Sequence, residues 1–241
     1  MDEESPYLET HRFQINETSK VKLRKFRKLL TETQTKHPEI IAATVFGSQI
    51  IGKATDISDI DAVVFVDVNK AGLSDKPDAL FSDTRGDQNW EQVNGQIGDV
   101  FRNKASKLLP SAEAKQGIKL RLISEARINN EMDNLINYQQ QIDAKKADGG
   151  ISSVVERSRS DIHYLFHLQI GGSDLEKYRC IVLDRLAALG ELGDEIWRDR
   201  IVFGVQFDEN ARLGEVDRTS NELFPLSIEK AREKFGTYPS N

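Results

Sequence analysis

A single cysteine, Cys180, stands in a chain of 241 residues, so no intramolecular disulfide can form and the chain fits a reducing compartment. Long apolar runs are equally scarce. The longest, Ala62 to Val66, falls far short of the ~20 residues that a membrane-spanning helix needs. The opening stretch MDEESPYLETHRF is acidic and polar, without the basic-then-apolar order of a secretory signal. Internal repeats and low-complexity tracts are absent. Apolar residues make up 38% of the chain, below the roughly 45–50% usual in globular domains. A core must therefore be assembled from periodic segments. These absences point to a soluble, cytoplasmic protein with no membrane partner.

Positive charge is also in short supply. The formal net charge is −6, which argues against broad, non-specific nucleic-acid binding, because that binding depends on Lys and Arg neutralising phosphates. One basic run stands out: Lys20, Lys22, Arg24, Lys25, Arg27 and Lys28. Its spacing suits the solvated face of an amphipathic helix better than a phosphate-contacting patch.

Residues 1–16 read as an irregular arm. Asn16 or Thr18 can cap a helix running to about Thr35, with Val21, Phe26, Leu29 and Leu30 inward, and His37-Pro38 ends it. Ile40 to Phe46 is β-rich and runs into Gly47-Ser48. After a polar turn, Asp59 to Val68 reads as a second strand. Residues 69–87 have no periodicity and read as a loop. Trp90 to Leu108 repeats at helical spacing, and Ile118, Leu120 and Leu122 mark a third strand. A polar helix is expected over 124–145, a strand over 161–170, and one or two helices over 175–201, broken near Gly190 or Gly193. A short strand at 203–207 and a helix at 228–235 complete the reading. The fold class is α/β (α+β): a head over 17–125 with a short mixed sheet and flanking helices. A mainly helical accessory region follows over 126–241 and returns its strand to the sheet.

The informative stretch is VFGSQIIGKATDISDIDAVVFV, residues 45–66. Strand side chains alternate faces, so Asp59 and Asp61 project together about 6.6 Å apart. Two such carboxylates can converge on divalent ions lying roughly 3.5–4 Å from each other. Without a cation, acids at the mouth of an apolar strand are costly. Gly47 lets the backbone approach a phosphate, and the exposed N–H groups of such a turn form an anion nest. The Ser48 hydroxyl can donate to a phosphate oxygen, and Lys53 can add positive charge near a triphosphate or simply be a solvated turn lysine. Gly-Ser alone and Asp-x-Asp alone are weak signals. With ten residues between Ser48 and Asp59, on adjacent strands, they are specific.

This segment resembles the signature of the polymerase-β-like nucleotidyltransferase superfamily, with the small bacterial members similar also at Gly52-Lys53-Ala54 and Ser58-Asp59-Ile60-Asp61. The resemblance is firm over 38–68 and looser over 17–125. It implies transfer of a nucleoside monophosphate from an NTP, ATP foremost, to an acceptor hydroxyl or phosphate, with release of pyrophosphate. It further implies that Gly47 and Ser48 grip the triphosphate while Asp59 and Asp61 bind Mg²⁺ or Mn²⁺.

The family pattern also includes a third carboxylate on a later strand, where this chain has Lys119 and Arg121. The alternatives are Asp161, in the context SDIHYLF, or no third acid. Asp67 shares the face of Asp61 but lies about 20 Å along the strand. His163 and His167 lack the further ligands that zinc needs, and Cys180 has no assignable base. The acceptor stays open among a small molecule, a protein side chain and an RNA end. Two rivals accompany the transferase reading: a catalytically weak nucleotide-binding regulatory or partner module, and an interaction protein whose motif match is coincidental.

Overall fold

The computed structural model describes residues 15–72, 118–143, 153–172, 175–202 and 227–235. The chain divides into two compact units. One holds the described residues up to Ser124 together with His167–Leu175, and the other holds Glu125–Phe166 and the residues from Glu176 onward.

In the first unit, helix α1 (Glu17–Gln34) starts where its sequence supplies a cap: the Asn16 backbone is extended and its side-chain oxygen accepts the Ser19 N–H. Leu23, Phe26, Leu29 and Leu30 are buried at i, i+3, i+6 and i+7, one apolar face. Val21, expected inward, is half exposed. It sits two residues from Leu23, ~200° around the helix, and so on the opposite face. Strands β1 (Ile40–Phe46) and β2 (Asp61–Asp67) pair antiparallel, with a register shift between Ile40 and Ala42. Strand β3 (Ile118–Ile123) joins β2 in parallel, and β4 (Leu168–Ile170) joins β1 antiparallel. The sheet order is β3-β2-β1-β4. The two central strands are covered on both faces, which is why their sequences read as continuous apolar runs.

In the second unit, α2 (Glu125–Asp143) is the expected polar helix. The strand expected over 161–170 is corrected: Ser153–Leu165 is helix α3, and only Leu168–Ile170 is strand. Val155, Ser158, Arg159, Ile162 and Leu165 are buried at three- and four-residue intervals. That is a helical period, which the short window DIHYLFHLQI conceals. Helix α4 (Leu175–Ala187) ends at a turn through Gly190 and is followed by α5 (Glu191–Glu195) and a π-helix, Ile196–Val202. Helix α6 (Ile228–Phe235) closes the described part. Phe166 packs edge-on against Trp197 and Phe235, with ring centroids 4.9 and 5.0 Å away. The arm expected over 1–16 up to residue 14, the loop expected over 69–87 from residue 73, the helix at 90–108 and the strand at 203–207 lie outside the described residues. Among the described residues no helix is long and apolar enough to cross a membrane.

Candidate active site

Strand β1 leaves the sheet through Phe46, whose backbone is extended, and turns at Gly47 with φ +68°. Gly47–Gln49 makes one 3₁₀ turn, closed by the Ile50 N–H donating to the Gly47 carbonyl at 3.2 Å. The antiparallel register places Phe46 opposite Asp61, so the turn emerges beside the first residue of β2. The approach is close. A Cβ on Gly47 would stand 2.5 Å from Asp61 Oδ2, nearer than real side chains come. A positive φ and an adjacent carboxylate together make glycine the residue that fits.

Asp59, Ile60 and Asp61 alternate in burial: Ile60 is buried, while both aspartates are half-buried. The two carboxylates therefore lie away from the core face that Ile60 occupies. Gln49, wholly buried, ties the turn to this entry, its Nε2 donating to the Asp59 carbonyl at 2.6 Å. Sequence reasoning passed over Gln49, because a glutamine between Ser48 and an apolar pair carries no motif of its own. Ser48 is half-buried in the 3₁₀ turn, and Lys53 is exposed in the segment joining turn to β2.

Lys22 was likewise missed, masked by the basic run around it. It is buried on the inner side of α1 and bonds to carbonyls just ahead of Asp59. Loss of water holds its pKa below that of a free lysine, while Asp56 and Asp59 oppose the shift.

In the sheet register Val63 faces Lys119 and Phe65 faces Arg121, so residues 119 and 121 occupy the rows that continue the Asp61 face. The half-buried Arg121 thus stands on the strand where a third acid was sought. Asp67 is on the same face but at the far end of β2. Asp161 lies in α3 of the second unit and is carried by a helix, not by a strand. His163 belongs to the second unit and His167 to the first. Among the described residues no three His, Cys, Asp or Glu side chains gather as a metal-ligand group.

The donor set nonetheless suits one kind of ion. Mg²⁺ takes one or two protein carboxylates and completes its octahedron with phosphate oxygens and water. Two half-buried aspartates two residues apart, with a glycine turn packed against one of them, fit that demand. They do not fit the four protein ligands of structural zinc.

Residues 26–136 match the family model described as the nucleotidyltransferase domain. The match takes in the end of α1, all of β1, β2 and β3, the Gly47–Gln49 turn and the start of α2. No curated protein and no solved structure matches the chain.

Proposed function

We propose that this chain, which carries a nucleotidyltransferase domain of the polymerase-β-like superfamily over residues 26–136, transfers a nucleoside monophosphate from an NTP to an acceptor hydroxyl or phosphate. The observation that supports this most is the contact of Gly47 with Asp61. It brings the Gly-Ser turn beside the first residue of β2, which supports reading the two motifs as one site.

In this reading the Gly47–Ser48 turn receives the triphosphate, with the Ser48 hydroxyl donating to a phosphate oxygen and Lys53 adding charge from the joining segment. Asp59 and Asp61 would hold Mg²⁺ or Mn²⁺. When bound, the metal neutralises charge developing on the α-phosphate and on the departing pyrophosphate. The acceptor oxygen attacks the α-phosphorus, and the bond from that phosphorus to the oxygen bridging the β-phosphate breaks. Pyrophosphate leaves with the electron pair, and a hydroxyl acceptor gives up its proton. Asp161 is proposed as the group that takes this proton on sequence context alone, and its test is given below. ATP is the proposed donor. The net charge of −6 favours an acceptor other than long nucleic acid.

A second reading, a nucleotide-binding regulatory module with little turnover, is favoured by Arg121 standing on the Asp61 face of β3. One experiment separates the two. The purified chain is incubated with Mg²⁺, each labelled NTP and a cell extract as acceptor pool, beside Asp59→Asn and Asp61→Asn. Pyrophosphate release by wild type alone supports the transferase. Saturable Mg²⁺-dependent NTP binding without release supports the module. Neither release nor binding overturns both.

A further inference from the structure

Three backbone carbonyls converge on one lysine. Nζ of Lys22 donates to the carbonyl oxygens of Thr55 at 2.8 Å, Asp56 at 2.9 Å and Ser58. An ammonium has three donors, so all are engaged. The next residue along the chain is Asp59. Asn16 makes a second tie. While its Oδ1 caps α1, its Nδ2 donates to the carbonyls of Ala54 at 2.8 Å and Gly52 at 3.3 Å.

The segment these bonds hold has little packing of its own. Ala54 is its one buried residue, and Ile57 is 77% exposed. An unsupported exposed segment samples many conformations, and ordering it costs conformational entropy at every residue. Burying an ammonium is itself unfavourable. A leucine at position 22 would continue the apolar face of α1 without that cost. What Lys22 adds is the set of bonds to residues 55, 56 and 58.

We propose that Lys22 is a positioning residue for the metal–nucleotide site, setting through the Thr55, Asp56 and Ser58 carbonyls the path by which the chain enters Asp59, with Asn16 as a second tie. The proposal rests on the nucleotidyltransferase reading. It assigns α1 a task beyond packing: bonds made on its inner face fix the backbone that delivers a metal-binding carboxylate.

The test uses the full chain, Mn²⁺ followed by electron paramagnetic resonance, and a non-hydrolysable ATP analogue. Lys22→Met keeps the aliphatic stem and removes the three donors. Its Mn²⁺–nucleotide binding is expected to weaken ~tenfold, equivalent to about 1.4 kcal/mol. Amide exchange over residues 55–59 is expected to quicken while β1 and β2 keep their protection. Asn16→Ser retains a capping oxygen but cannot reach the Gly52 and Ala54 carbonyls, and should weaken binding to a smaller degree. Lys25→Met, which removes an exposed cation from the same helix, should change neither readout. Wild-type binding in Lys22→Met overturns the proposal and leaves the nucleotidyltransferase reading standing. Absence of binding in the wild type overturns both. Should Lys22→Met not fold, unchanged binding and exchange in Asn16→Ser overturn the proposal.

Discussion

A Cβ placed on Gly47 would stand 2.5 Å from Oδ2 of Asp61. The same glycine holds φ +68°, so a side chain there meets backbone strain and a carboxylate at once. Gly72 offers the comparison, with φ +66° and nothing within 4 Å of its imagined Cβ. Gly72→Ala should cost about 1–2 kcal/mol from the left-handed conformation alone. Gly47→Ala should carry a similar strain and in addition displace the Asp61 carboxylate, weakening Mn²⁺–nucleotide binding at least ~tenfold. Denaturant titration and Mn²⁺ binding on the two variants check this; equal metal binding in both would remove the carboxylate contact from the site.

Asp161 has a separate test because its role rests on sequence context. Asp161→Asn is expected to lower the rate of pyrophosphate release by ~10²-fold or more, as loss of a proton-accepting group does, with nucleotide binding intact. Unchanged release would take Asp161 out of the mechanism.

His163 ties stability to pH. Burial drives its pKa from 6.5 to about 4, against the opposing effect of its 2.8 Å hydrogen bond to the Ile201 carbonyl and with a smaller push from Arg159. The ring is therefore neutral in the folded chain, with Nδ1 donating to that carbonyl. An unfolded chain takes up the proton near its ordinary value, so lowering the pH from 6.5 toward 4 favours unfolding. The full loss amounts to about 3 kcal/mol. Denaturant unfolding over this range should show the slope in wild type and a flatter one in His163→Gln, which keeps a donor but does not titrate.

Phe166 is fully buried between Trp197 and Phe235. Phe166→Ala should destabilise the chain by about 3–5 kcal/mol, the usual cost of an emptied aromatic site. Phe235→Ala should cost a comparable amount and release α6. Thermal unfolding measures the first effect, and proteolytic clipping near residue 228 reports the second.

Much of the first unit was legible because its signals are local. Asn16 caps α1 as its type allows, and the apolar runs of β1 and β2 are strands buried on both faces. The alternation at 118–123 is β3. The window 161–170 misled because DIHYLFHLQI is apolar enough for either element. Its helical period emerges only with Val155, Ser158 and Arg159, which lie before it. Val21 was misplaced for a related reason, since an exposed valine carries the same apolar signal as a buried one.

By itself the sequence marked out the candidate residues: a glycine and a serine, then two aspartates two apart at the entry to an apolar strand. Spacing and residue type suffice to nominate them, although the strand expected from Asp59 begins at Asp61 and leaves Asp59 in the segment that enters it. What lies beside what was decided by the tertiary structure. Antiparallel pairing of β1 with β2 brings Asp61 opposite Phe46 and so against Gly47. Packing of α1 turns Lys22 out of a basic run and onto the carbonyls before Asp59. Neither relation is written in any local window, because each depends on atoms that meet only when distant segments share a core.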